Sequence, residues 1–286
     1  FDTDYFKDIK ISFNNGYLKI DVVENPIIQK IIIRGIDNKS IVDDLTKITK
    51  KIEKYPYLEN NINDQKNNLI NIIRNSGFYF AEIETRIQDN NNNTVNIIYE
   101  FNLGERAKIS EIKFIGNKVF RNNKLRNIIV SEESKPWKFI TPNKYLNENR
   151  IKLDVNLLKN YFKNKGYYNV LIKSSSAKVI DKNNFVLTFN IDAGKKYYFN
   201  NIKLDVSNDY EKENFSNFFE IFNKLKGKPY SLKSIKKIIN EIDKTALQKE
   251  FVFINAKYQE KIIEDNKINI EIFFEESQKY YVDRIN

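Results

Sequence analysis

One plan recurs along this 286-residue chain: an apolar strand ends, a short turn follows, and a second apolar strand begins. It is seen in FNLGERAKISEIKFIGNKVF (101–120), in DAGKKYYFNNIKLDVSND (192–209) and in VENPIIQKIIIRGIDN (23–38), where Pro26 stands in the turn. EESQKYYVDRIN (275–286) starts it again. With Ile31, Ile112, Ile202 and Ile285 taken as equivalent, the intervals are 81, 90 and 83 residues. Self-similarity at a near-constant period makes the chain an array of one supersecondary unit rather than one large core.

A second marker lies deeper in each unit. NSGFYFAEIETRI (75–87) matches NKGYYNVLIKSSS (164–176): a helix end, a glycine in the left-handed C-cap position, two aromatics, then a strand. QKEFVFINAKYQE (248–260) carries Glu250 in place of the glycine, so that helix is expected to end differently. DTDYFKDIKISF (2–13) is the same element in a truncated first copy.

Each unit therefore reads β-α-α-β-β. In the second unit the first strand spans 28–33, Ser40 with Asp43 forms a capping pair for a helix, and a second helix runs over 62–75. DNNNN (89–93) turns a hairpin into the closing strand TVNIIYEF (94–101). In the third, Thr141-Pro142 suits an N-cap and first helical position, and Ile151, Val155, Leu158 and Phe162 share one helical face. FVLTFNI (185–191) closes it. In the fourth, Phe215, Phe218, Phe219 and Phe222 mark one helix, and Ile235, Ile238 and Ile242 the next. KINIEIFF (267–274) alternates as a strand. The linkers GERA (104–107) and AGKK (193–196) are short, so neighbouring units are expected to touch, as beads on a rod.

Composition narrows the chemistry. The chain has no cysteine and no histidine, which removes thiolates, disulfides, and the commonest general base and transition-metal ligand. Catalysis would rest on carboxylates, Lys, Tyr or Ser. Glu132-Glu133 and Glu275-Glu276 are adjacent in sequence, face opposite ways if extended, and lack a partner nucleophile, so they read as surface. The formal charge is +10, but the basic residues are mostly Lys and are interleaved with acids, which reads as a solvated surface. There is no methionine and no signal peptide, and the chain starts and stops in mid-strand, so it is expected to be an excised piece of a longer polypeptide.

The β-α-α-β-β unit, the Gly-Asn at 116–117 and the helix-end GFYF and GYY resemble the polypeptide-transport-associated (POTRA) repeat of outer-membrane protein assembly factors. ISEIKFIGNKVF (109–120), KPWKF (135–139) and YFKNKGYYN (161–169) are similar to the third such repeat, and the likeness covers the whole chain. Glu250 and Val206-Ser207-Asn208 depart from the pattern. The resemblance implies an α+β tandem array, each repeat a three-stranded mixed sheet covered on one face by two helices. It places the C-terminal hairpin of a first repeat at 1–25, whole repeats at 26–104, 105–194 and 195–277, and the first strand of a fifth at 278–286. It implies a non-enzymatic, cofactor-free periplasmic arm of the outer membrane. The implied partners are unfolded outer-membrane protein precursors, accessory outer-membrane lipoproteins and the parent chain's membrane β-barrel. No nucleic acid is expected. The rival readings are a Lys-rich nucleic-acid-binding array and the POTRA arm of a related secretion transporter, for which only two repeats are expected.

The resemblance further implies that the strand after the helices lies outermost, at 81–87, 170–178 and 255–262. A guest strand could pair there. The candidates are Ile83, Thr85 and Ile87; Ile172, Ser174 and Ser176; and Tyr258 and Glu260. Net hydrogen bonds contribute about 0.5–1.5 kcal/mol each. About three to five of them, less the ordering of a floppy guest, leave roughly millimolar to micromolar affinity. Trp137, the one tryptophan, lies in the inter-helix loop. It is a candidate partner contact, but an aromatic in that loop is expected to cover its own repeat's core.

Overall fold

The computed structural model describes residues 4–137, 141–181, 183–206, 211–249, 251, 254–264 and 266–276, with the backbone alone at Ser174 and Glu276. In chain order the elements are β1 (Phe6–Asn14), β2 (Tyr17–Glu24), β3 (Ile27–Arg34), α1 (Lys39–Thr49), α2 (Glu59–Asn75), β4 (Glu82–Asn90), β5 (Thr94–Asn102) and β6 (Lys108–Asn117). There follow α3 (Asn122–Arg126), α4 (Glu148–Lys163), β7 (Leu171–Asp181), β8 (Asn184–Asp192), β9 (Tyr198–Asp205), α5 (Asn217–Leu225), α6 (Leu232–Gln248), β10 (Ile254–Ile263) and β11 (Lys267–Glu276). Short 3-10 turns occupy Lys50–Ile52, Pro142–Lys144 and Lys212–Phe215. The β-α-α-β-β order occurs three times, after the hairpin β1-β2. The expected fifth-repeat strand at 278–286 lies outside the described residues.

The sheets are ordered β3-β5-β4, β6-β8-β7 and β10-β11-β9. In the first and last of these the closing strand is central, parallel to the first strand and antiparallel to the strand after the helices. This is the mixed α+β architecture expected.

The chain divides into two compact units. One takes the described residues up to Glu111 with those of Ser131–Arg150 and Lys178–Val186; the other takes Ile112–Val130, Ile151–Ala177 and the described residues from Leu187 on. In the first unit, β5 alternates so that Val95, Ile97, Tyr99 and Phe101 meet Leu45, Leu69 and Ile73 in one core. The hydroxyl of Tyr99 donates to Gln65 Oε1 at 2.7 Å, so this buried polar pair is satisfied. In the second unit, Ile268, Ile270 and Ile272 of β11 pack with Phe215, Phe222, Ile235 and Ile242.

Three local readings need correction. The N-cap of α1 is Asn38, whose side chain accepts from the Ile41 N–H at 3.2 Å; Ser40 already lies inside the first turn, so Ser40 and Asp43 do not form the cap. Thr141 caps as expected, accepting from the Asn143 N–H, but only a 3-10 turn follows. The long helix α4 starts later, where Asn147 Oδ1 accepts from the Arg150 N–H at 2.7 Å. Phe215 precedes α5, and Phe219 is 46% exposed, because Phe218 and Phe222 at i, i+4 define the inward face.

Gly35 and Gly116 are equivalent residues at the ends of first strands. Both have left-handed backbone (φ +82° and +84°), and a Cβ would overlap the carbonyl oxygen of Phe101 or of Ile191, at the end of the central strand. Gly104 is also left-handed (φ +61°) but faces open space. Gly104→Ala is therefore expected to cost about 1–2 kcal/mol, the left-handed backbone alone. Gly35→Ala adds a backbone clash, so its loss is expected to be larger, on the order of 3 kcal/mol or more. Urea unfolding of the two variants checks this; equal midpoints would sink the close-approach argument.

Candidate functional site: sheet edges and the joints between repeats

Each three-stranded sheet has two edges, and the chain treats them differently. The outer side of β3 is closed by the loop between its helices: Ile28 N–H donates to Tyr55 O at 2.9 Å, Lys54 N–H to Ile28 O at 2.7 Å, and Tyr57 N–H to Pro26 O at 2.7 Å. The carboxylate of Glu53 takes the Ile31 N–H as well. In β6 and the residue before it the same happens, with Leu146 N–H donating to Ala107 O and Ser134 N–H to Ile109 O. For β9, Phe199 N–H donates to Lys228 O, Gly227 N–H to Phe199 O, and Tyr230 N–H to Tyr197 O.

The opposite edges are β4, β7 and β10, as expected for the strand after the helices. Among the described residues no further segment forms backbone bonds along them. The β4–β5 register is unbroken from Glu82↔Asn102 to Asn90↔Thr94, and β10–β11 from Ile254↔Glu276 to Ile263↔Lys267. An unbulged edge of this kind presents N–H and C=O groups at strand spacing. One side chain intrudes: Asp243 Oδ1 accepts from the Ala256 N–H at 2.6 Å. Exposed charges line these strands, including Arg86 paired with Glu84 and Glu100, and Lys173 paired with Asp192 at 3.0 Å. Such charges are the ordinary protection of an edge.

The side chains singled out from the sequence are spread along these edges. Ile83, Thr85 and Ile87 lie opposite Phe101, Tyr99 and Ile97, and their burial falls from a buried Ile83 to an Ile87 that is 47% exposed. The Thr85 hydroxyl is enclosed without a hydrogen-bond partner. Ile172 is half-buried, Ser176 is exposed, and Ser174 contributes backbone to β7. Tyr258 packs against the core of the second unit. Glu260 is engaged, accepting from the Tyr168 hydroxyl at 2.8 Å and the Tyr230 hydroxyl at 2.6 Å. Trp137 is 72% exposed, with Lys135 Nζ 5.9 Å from its ring centroid. It does not cover its own core, because the loop carries it outward. Among the described residues no cluster of His, Cys, Asp and Glu is arranged to hold a metal ion.

The joints between repeats were not foreseen residue by residue. In the first unit the Gly77 carbonyl accepts from the Ala107 N–H at 2.8 Å, and the Asn147 side chain donates to Asn75 O. Arg106 lies between the rings of Phe78 and Tyr145, 5.0 and 4.9 Å from their centroids. In the second unit the Gly166 carbonyl accepts from the Tyr197 N–H at 2.7 Å, and Asn164 Oδ1 from the Lys233 N–H. The helix-end glycine thus ends a helix and receives the next repeat. Tyr168 stands edge-on to Tyr230, at 5.0 Å, and reaches Glu260. The recurrence of Tyr145 and Tyr230 before α4 and α6 was the available signal.

A model of the POTRA family, described as "Surface antigen variable number repeat", matches residues 26–104 and 107–194, and the chain belongs to that family. It is 25% identical, over its whole length, to the outer membrane protein assembly factor BamA of Buchnera aphidicola subsp. Acyrthosiphon pisum. It is 21% identical over 99% of its length to BamA of Neisseria meningitidis serogroup B. The chain spans 46% and 36% of those two relatives. Among solved structures it resembles POTRA3-5 of Haemophilus influenzae BamA, with a TM-score of 0.50, 15% identity, and coverage of 88% of this chain and 96% of that one.

Burial, and then the hydrogen bond to Glu260, push the Tyr168 hydroxyl from its ordinary 10 up to about 12. Burial pushes Tyr230 up as well. A folded-state value above the unfolded one gives stability that is complete below pH 10 and is lost as pH rises through the folded value. Thermal melting between pH 10 and about pH 12 is expected to show this loss, with a shallower fall in Tyr168→Phe. An unchanged slope in that variant would show that the tyrosine is not held by this joint.

Proposed function

We propose that the chain is the periplasmic arm of an outer-membrane protein assembly factor in a Gram-negative-type cell. Residues 1–25 are read as the end of one repeat, 26–104, 105–194 and 195–277 as three whole repeats, and 278–286 as the start of another. The arm receives unfolded outer-membrane protein precursors by adding their strands to β4, β7 and β10. It docks accessory lipoproteins and passes clients to a membrane β-barrel of the parent chain. No bond is made or broken in this process, so no cofactor enters it.

The observation that carries this reading is the asymmetry of the sheets. In all three repeats the inter-helix loop closes the first strand's edge, while among the described residues no backbone segment pairs with the edge after the helices. Backbone pairing reads side chains weakly, so one edge accepts many client strands. A few net hydrogen bonds hold a guest at roughly millimolar to micromolar affinity, weak enough to release it.

The test is a nuclear magnetic resonance titration of the chain with a synthetic strand from a membrane β-barrel. Amide shifts are expected in Glu82–Asn90, Leu171–Asp181 and Ile254–Ile263, with little salt dependence. Shifts confined to β3 and β9, or none at millimolar peptide, would overturn strand addition. Tight duplex binding that falls steeply with salt would favour the nucleic-acid array instead.

A further inference from the structure

The fourth repeat carries a feature that strand addition does not use. Between α5 and α6 lies a groove of about 330 Å³, walled by Phe218, Ile221, Leu225 and Ile238, with Lys237 and Glu241 on its rim. Ile221 and the neighbouring Phe219 remain 39% and 46% exposed, so apolar surface is left without a partner on these helices. The charge around it is not the interleaved pattern of the rest of the chain. Between Lys224 and Lys249 stand eight lysines, all exposed, against only Glu241 and Asp243. That surplus of six is over half of the chain's formal +10.

The two acids are already engaged. Asp243 accepts from the Ala256 N–H, and Glu241 pairs with Lys244 at 3.0 Å. Lys224 pairs with Glu220 at 3.5 Å. Lys233 and Lys237, one helical turn apart on the same side of α6, meet no carboxylate within ion-pair distance among the described residues.

We propose that this groove docks a short acidic amphipathic helix from a partner protein. The nine residues of α5 make a wall about 13 Å long, enough for roughly two turns of a guest helix. Apolar side chains at i, i+3, i+4 and i+7 would fill the groove, and flanking carboxylates would meet Lys233 and Lys237. A second copy of the chain is disfavoured because two such lysine-rich faces repel. A flat anionic membrane meets the lysines but does not reach into a channel between two helices. This docking reads side chains, and it stands independently of pairing at β4, β7 and β10.

The probe is a synthetic helix with leucines at those positions and glutamates elsewhere, titrated onto the full chain by fluorescence anisotropy. Its twin carries lysines in place of the glutamates. The glutamate helix is expected to bind at least about tenfold more tightly than its twin. Ile221→Ser, a partly exposed site, is expected to weaken it by about tenfold with an unchanged melting temperature. The double variant Lys233→Glu, Lys237→Glu is expected to reverse the preference between the twins. The strand peptide is expected not to compete. Equal binding of the twins, no binding, competition by the strand peptide, or a preference for phosphatidylglycerol vesicles that is lost in Ile221→Ser would each overturn the proposal. So would self-association of the chain that Ile221→Ser abolishes.

Discussion

The loop between the two helices hydrogen-bonds to the outer side of the first strand, and that backbone pairing decides where each sheet stays open. Its cause lies in the joints. The start of each following first strand is inserted against the helix end of the preceding repeat, where Ala107 is fully buried and Tyr197 nearly so. Backbone groups in such a place have no water and must find protein partners. Gly77 O and Gly166 O take the Ala107 and Tyr197 N–H groups, and the loops take the carbonyls of the same two residues. Most described residues of β4 and β7 are exposed, so leaving their outer backbone groups to water costs little. One edge is closed because it is buried, and the other is open because it is wet.

The joints share a backbone bond and differ in the side chains around it. Arg106 between Phe78 and Tyr145 makes the joint of the first unit a stacked cation. The joint of the second unit is two tyrosine hydroxyls on one carboxylate. The tyrosine joint depends on both phenols staying neutral, so alkaline pH loosens it.

The architecture was legible because it was written several times. Strands β5, β8 and β11 alternate apolar and polar residues, and Gly77 and Gly166 stand at matching helix ends, so each copy supports the others. What was missed depends on side chains meeting across distance. Nothing in GERA says that Arg106 will find Tyr145, thirty-nine residues on. Glu260 read as an edge residue because its partners, Tyr168 and Tyr230, lie in other elements. The cap at Asn38 was missed because Ser40 and Asp43 offered the same short polar chemistry two residues later. Trp137 was misplaced because an aromatic beside a proline says nothing about which way a loop carries it.

An arm that only added strands would hold every extended segment about equally, since the bonds run to backbone. The groove between α5 and α6 differs in kind: its walls are apolar side chains with Lys237 at the rim, so a guest held there would be read by shape and charge. Weak, sequence-tolerant edges suit guests that must leave. A groove that reads side chains suits a partner that stays while guests change. The two surfaces do not compete for backbone, because β10 is an edge of the sheet and the groove lies on the helices. On the reading proposed above, a partner held in the groove would leave the β10 edge available to an added strand.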